Sequence, residues 1–253
     1  MKKIILVTGA TSGFGKAIAE LFAKNGYNVI INGRRKERLD ELEGKIKADF
    51  GVDVYKLPFD VRDKEVVFEE INNLPEAWKN IDVLVNNAGL ASGLADIQDG
   101  DIDDWEKMID TNLKGLLYVT KAVVPNMISR KSGHIINIGS VAGKEVYPKG
   151  NVYCATKHAV DALNKSMRID LLPHRIKVTA INPGMAETEF SVVRFHGDEN
   201  RAKDVYKGLT PLYAEDIAEL AWFAASRPPH VNINDLTVTP TAQATARDVV
   251  RES

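Results

Sequence analysis

Lys3-Ile4-Ile5-Leu6-Val7 runs unbroken into Thr8-Gly9-Ala10-Thr11-Ser12-Gly13-Phe14-Gly15, and a helix-length segment follows. The aliphatic run reads as a strand covered on both faces. The glycines mark a sharp turn where a ligand can approach the backbone with no Cβ in the way. A helix opening directly behind that turn offers unpaired N–H groups and the positive end of its dipole, a combination suited to phosphate. No Gly-Lys-Ser/Thr closes the loop, which argues against a P-loop nucleotidase. The stretch predicts the first βα unit of a dinucleotide fold, with Gly9, Thr11, Ser12, Gly13, Phe14 and Gly15 around a pyrophosphate.

Runs at 28–31, 53–58, 81–86, 134–138 and 177–181 repeat the apolar character of 3–7, and helical patterns at 15–24, 36–50, 63–74, 103–129, 153–172 and 214–226 accompany them. This alternation predicts an α/β protein, a single-domain Rossmann-like doubly wound parallel sheet with helices on both faces, over 1–253. Residues 236–239 are a candidate edge strand, and 186–210 reads as irregular or short-helical. The polar stretch after Pro240 is expected to fray or to cover a neighbouring subunit.

The composition suits a chain that builds its own core: 253 residues, 44% hydrophobic and 27% charged. Lysine and arginine number 33 against 35 acidic residues, so the net charge of −2 gives no global field to draw in nucleic acid or an anionic membrane. Neither is expected as a partner. The single cysteine, Cys154, makes no internal disulfide and no multi-cysteine zinc site, and the five histidines lack metal-binding spacing. No metal is expected. The apolar run after Met1-Lys2-Lys3 is too short for a signal sequence, and the expected setting is the cytoplasm.

The end of the second strand in a dinucleotide fold chooses between NAD and NADP, because a carboxylate there bonds the free ribose hydroxyl and repels a 2′-phosphate. Here that position reads Asn32-Gly33-Arg34-Arg35. Two planar, multi-donor cations suit a phosphate monoester, so NADP is expected, held by Arg34 and Arg35. The competing reading of Arg34, Arg35, Lys36 and Arg38 is a solvated helix start or a local nucleic-acid patch. Asp60-Val61 follows the third strand, where it either meets the adenine or caps the next helix.

Tyr153 and Lys157 stand four apart in a helical segment and share a face, and Ser140 lies just past the run 134–138. Bringing a tyrosine pKa from about 10 to 7 takes ~4 kcal/mol of preference for phenolate. An ammonium one turn away, aided by the positive charge of an oxidised nicotinamide, is a source for it.

Taken in order and at their spacings, Thr8 to Gly15, Asp60-Val61, Asn86-Asn87-Ala88-Gly89, Asn112, Ser140, Tyr153-Cys154-Ala155-Thr156-Lys157 and Pro183-Gly184 resemble the short-chain dehydrogenases/reductases across nearly the whole chain. The resemblance implies that Ser140 bonds the substrate oxygen, Tyr153 exchanges its proton, and Lys157 holds the nicotinamide ribose while acidifying the tyrosine. It implies that Asn112 holds a water of a proton relay. Asn86, Ala88 and Gly89 would line the adenosine and ribose, and Pro183, Gly184 and Thr188 the nicotinamide end. It also implies a homo-oligomer, a dimer or tetramer packed through the helices at 103–129 and 153–172.

Residues 188–198, 230–234 and 240–243 resemble the NADP-dependent serine and 3-hydroxy acid dehydrogenase branch. That branch implies hydride transfer at the β-carbon of serine, allo-threonine or a 3-hydroxypropionate/malonic semialdehyde pair, beneath a lid at 186–210. The acid group of such a small-molecule substrate calls for a cation. Arg194 is the first candidate, with a lid-anchoring pair to Asp198 or Glu199 as its competing role, and Lys144 is the second. The rival readings are a broad carbonyl or 3-oxoacyl reductase and a non-catalytic NADP(H)-sensing module.

Overall fold

The first strand is buried on both faces, and its side chains join two clusters by turns. In the computed structural model, which describes residues 2–252, Ile5 and Val7 of β1 (Ile4–Val7) join one buried cluster, and Ile4 and Leu6 join another. Side chains two apart share a face, so a strand this apolar needs a helical layer on each side. The first layer is α1 (Gly13–Lys24), α2 (Lys36–Phe50) and α9 (Ala214–Ala225), which supply Phe22, Leu39 and Ile217 to its core. The second is α3 (Lys64–Asn72), α5 (Leu116–Arg130) and α6 (Asn151–Asp170), which supply Val67, Met127 and Val160.

β1 pairs with β2 (Asn28–Asn32), which pairs with β3 (Val54–Leu57). The chain then returns to the other side of β1 for β4 (Val83–Asn86), β5 (His134–Ile138), β6 (Lys177–Pro183) and β7 (Asp235–Val238). All seven strands are parallel, in the order β3-β2-β1-β4-β5-β6-β7. The winding reverses between β1 and β4, and a crevice at the carboxyl ends of an open sheet is expected there.

Three expectations need correction. The edge strand lies one residue earlier than 236–239. The helix at 103–129 is interrupted: α4 (Ile102–Ile109) passes through a π turn (Asp110–Gly115) into α5. Third, the segment after Pro240 does not fray but is tied to its own chain. The Gln243 amide oxygen accepts from Met185 N at 2.7 Å, Ala246 N donates to Glu145, and Glu252 N donates to Gly208 O at 2.7 Å. Paired main-chain groups at both ends give this polar stretch a fixed course without an apolar face of its own.

His134 is buried inside β5, with Nε2 2.8 Å from Thr179 Oγ1. The Thr179 hydroxyl spends its hydrogen on Ile233 O, so Nε2 is the protonated nitrogen and Nδ1 is left without a partner. Desolvation, with the Lys177 charge behind it, pushes the imidazole pKa down to about 3. The unfolded chain therefore binds a proton that the native chain refuses. Stability from this group is complete above pH 6.5 and is lost as pH falls toward 3, by about 1.4 kcal/mol per pH unit at most. His134→Leu should flatten the acid limb of a stability-versus-pH curve measured by urea unfolding, while the wild type falls steadily below pH 6.5.

Candidate active site

The crevice is closed at the switch point by direct strand-to-turn bonding. The Thr8 hydroxyl accepts from Asn87 N and Ala88 N, each at 3.0 Å, and the Asn87 side-chain amide donates to Thr8 O and Gly9 O. Gly15 then packs so tightly on this knot that a Cβ would collide with the Gly9 carbonyl and the Asn87 amide. Gly9 and Gly13 hold positive φ, 65° and 51°, where glycine is the least strained residue. Ser12 precedes α1 without capping it, and the first turn has no acid. Its N–H groups therefore stay available to an anion.

The resulting cavity, about 490 Å³, runs from this turn to the ends of β5 and β6. Gly9, Thr11, Ser12, Gly13 and Phe14 line its floor at one end, with Arg34, Arg35, Asp60 and Val61 beside them. Ala88 and Gly89 line the middle. Ser140, Tyr153, Lys157, Pro183, Gly184, Thr188 and Arg194 surround the far end. The spacing did bring distant segments together as one surface.

Four of the expected residues do not line the cavity: Gly15, packed on Gly9 and Asn87; Asn112, bonded to Leu90; and also Asn86 and Lys144. Asn86 turns into the sheet-helix interface, where Nδ2 donates to Thr120 Oγ1 and Asn137 Oδ1 at 2.9 Å; its neighbour Asn87 faces the crevice instead. Lys144 is spent on two carboxylates, Asp161 and Asp235, both at 2.6 Å, which removes it as a partner for a substrate acid. Asp60 is not the cap of α3; Asp63 accepts from Val66 N in that role. The Asp60 carboxylate receives Nε and NH2 of Arg62, with Arg34 NH1 at 3.6 Å.

Asn112 occupies the π turn, a widened helical turn of a kind that recurs at functional sites. Its Oδ1 accepts from Leu90 N, and Nδ2 donates to Leu90 O and to Thr156 Oγ1, at 2.8, 2.8 and 3.1 Å. Thr156 in turn bonds Tyr153 O. Both amide hydrogens are taken by the protein, so the side chain ties the turn after β4 to the reacting helix.

Ser140 is fixed at the end of β5 by accepting from Ala142 N at 3.1 Å. Tyr153 is buried, edge-on to Phe190 at 5.6 Å, with the Arg194 guanidinium 5.8 Å and Lys157 Nζ 6.0 Å from its ring centre. Lys157 donates to Ile138 O at 2.9 Å, and burial brings its pKa down to about 8. Burial, then the neighbouring Tyr147 phenol, pushes Tyr153 above its usual 10 against the pull of Ser140 and Arg194. A cation near the ring favours phenolate over phenol, and in Lys157 it works against the burial that holds this phenol protonated.

α7 (Phe190–Arg194) supplies Phe190, Ser191, Val193 and Arg194 to the cavity wall, and α8 (Glu199–Asp204) follows it. Arg194 is clasped to Gly93 by two bonds, Gly93 N to Arg194 O at 2.9 Å and Arg194 Nε to Gly93 O at 3.3 Å. His196 Nε2 lies 3.2 Å from Asp104, which also receives the Ser92 hydroxyl. Asp198 caps α8, and among the described residues Arg194 has no ion pair with it or with Glu199. Sequence reasoning missed Tyr147, whose ring lies 5.4 Å from the Arg194 guanidinium, and Glu189, which reaches Arg35. Tyr147 stands in no motif, and Glu189 lies in the stretch 188–198 without its partner being marked there. Among the described residues no cluster of three or more His, Cys, Asp or Glu is disposed to hold a metal, and no helix is long and apolar enough to cross a membrane.

A parallel sheet reversed at β1/β4, a glycine turn against Asn87, and Ser140, Tyr153 and Lys157 around one crevice define a dinucleotide-dependent oxidoreductase frame. The chain belongs to the short chain dehydrogenase family, whose pattern matches residues 3–198. It is 49% identical over 244 residues to the NADP-dependent 3-hydroxy acid dehydrogenase YdfG of Salmonella typhi, covering 96% of this chain and 97% of that one. Sulfoacetaldehyde reductase 2 of Chromohalobacter salexigens is 48% identical over 245 residues, covering 96% of each. The closed form of a serine dehydrogenase complexed with NADP+ superposes with a TM-score of 0.92 at 47% identity, covering 99% of this chain and all of that one.

Asn112→Ala leaves the buried Leu90 N–H and C=O without partners and should cost about 1–3 kcal/mol for each group left unpaired. Denaturant unfolding should show the lowered midpoint, and kcat should fall because Tyr153 loses its positional tie.

Proposed function

We propose that this protein is an NADP(H)-dependent oxidoreductase acting at the β-carbon of a small 3-hydroxy acid, of the serine, allo-threonine or 3-hydroxypropionate/malonic semialdehyde type. The observation that carries the reading is the Arg194 guanidinium beside the Tyr153 ring, clasped to Gly93 and without a carboxylate partner among the described residues. A fixed guanidinium is a bidentate receptor for an anionic group. The 3-hydroxy acid and sulfoacetaldehyde relatives are both named for substrates with an acid group a short distance from the reacting carbon.

The crevice fits NADP. Its glycine turn admits backbone close to a pyrophosphate, and Arg34, Arg35, Thr11 and Ser12 offer cations and hydroxyls where a 2′-phosphate is expected. NADP(H) supplies or accepts the hydride. The protein supplies proton and position. In reduction Tyr153 gives its phenolic proton to the substrate oxygen, and Ser140 Oγ donates a hydrogen bond to that oxygen as charge develops. In oxidation Tyr153 takes the hydroxyl proton, with Lys157 favouring the phenolate. Asn112 holds Tyr153 and the turn after β4 in register. Residues 186–210 act as the lid, and Arg194 sets the acid group so that the β-carbon faces the tyrosine.

The same reading includes a homo-oligomer in the cytoplasm. Leu117 on α5, Ile169 on α6 and Leu172 just beyond it are exposed aliphatic residues on the helices expected to pack between subunits.

Reduction uses the protonated phenol, so its rate should hold across neutral pH, while oxidation should climb toward alkaline pH. Tyr153→Phe should cut turnover by about 10²- to 10⁴-fold with NADPH binding intact by fluorescence titration. Arg194→Met should raise KM for 3-hydroxy acids and for a sulfonate analogue at least tenfold, leaving uncharged short carbonyls unaffected. Equal activity of the wild type on free acids, acyl thioesters and neutral ketones would instead identify a broad carbonyl or 3-oxoacyl reductase.

A further inference from the structure

Glu189, at the start of the lid, crosses the crevice to the helix that follows β2. Its Oε2 bonds Arg35 NH1 at 2.9 Å and its Oε1 bonds Arg38 NH1 at 2.5 Å. Burial by itself would raise the Glu189 carboxyl; the hydrogen bonds from Arg35 and Arg38 outweigh it and hold the group below its ordinary range, so it is an anion. Arg35 is fully engaged, for its Nε and NH2 donate to Thr11 Oγ1, and NH2 also to Ser12 Oγ. Arg34 is not. Among the described residues its one carboxylate contact is Asp60 at 3.6 Å, and that charge is already taken by Arg62. The two guanidiniums at the β2 terminus thus differ: one is loosely held and one already carries an anion.

We propose that Glu189 is a specificity-determining residue that competes with the 2′-phosphate of the cofactor for Arg35, so that NADP(H) binds only by exchanging one anion for another and thereby releases this end of the lid. The inference rests on the NADP(H) reading above. Thr11, Ser12, Arg34, Arg35 and Glu189 all line the same end of the cavity. A phosphate monoester carries about −1.5 to −2 charges at neutral pH and accepts through three oxygens, so it wins a guanidinium from a single carboxylate. An NAD(H) ribose offers neutral hydroxyls and has no reason to displace Glu189. The residue therefore lowers the preference for NADP(H) below what two arginines alone would give. It also couples the cofactor's phosphate to the lid, because its backbone leads directly into α7 and Arg194.

Glu189→Gln removes the charge and keeps the shape. Exposed ion pairs are worth about 0.2–1 kcal/mol each, so NADPH should bind about two- to fivefold tighter to the variant. NADH affinity should not change. Both are read by fluorescence titration of the purified protein at low salt, with circular dichroism melting to confirm the fold. The gain should shrink as salt rises. Glu189→Asp, which keeps the charge on a shorter arm, should fall between the two. If the wild type prefers NADPH and Glu189→Gln leaves its affinity unchanged or weakens it, or if NADH tightens in parallel, the competition is overturned while the cofactor reading survives. If the wild type binds NADH as tightly as NADPH, the cofactor reading itself fails and this proposal falls with it.

Discussion

The contact between the turn after β1 and the start of the turn after β4 sets the terms for everything else in this molecule. Thr8 accepts the N–H groups of Asn87 and Ala88, and Gly15 lies where even a methyl group would push the two segments apart. That closeness lets α1 aim its open end along the crevice. It also fixes the height of Gly89, one residue beyond Ala88, against Asn112 and Lys157. The binding end and the reacting end are therefore one rigid construction, with the sheet's reversal as its hinge line.

Burial works against the chemistry at the reacting end, and the arrangement answers it with stored charge. Tyr153 is held protonated by desolvation, and Lys157 is eased toward neutrality by the same cause. A site with these tendencies is well set to give a proton and must be helped to take one. The help is electrostatic, since the Lys157 and Arg194 cations stand at similar distances from the tyrosine ring.

The fold was legible because the central strands β1, β4, β5 and β6 are buried on both faces and each glycine of the first turn had a steric reason. The crevice was legible for a related cause: the residues that form it sit at strand ends, whose places the topology dictates. What escaped was what depends on side-chain partners. Asn86 and Asn87 are adjacent and alike, and only the pleat decides which one faces the cavity. Lys144 looked available until Asp161 and Asp235, brought from α6 and β7, claimed it. Glu189 and Arg35 are 154 positions apart, beyond any local pattern. The course of the tail was equally hidden, since the bonds that fix it join Gln243 to Met185, Ala246 to Glu145 and Glu252 to Gly208 across long stretches of sequence.

The π turn at Asp110–Gly115 makes the long helix a keyed part rather than a spacer. It holds one residue more than regular coiling would use. Removing that residue would close the turn to ordinary coiling and take away the widened stretch that carries the Asn112 amide out to Leu90, while the coils on either side could keep their faces. One residue of apparent slack is thus what couples the reacting helix to the loop beyond β4.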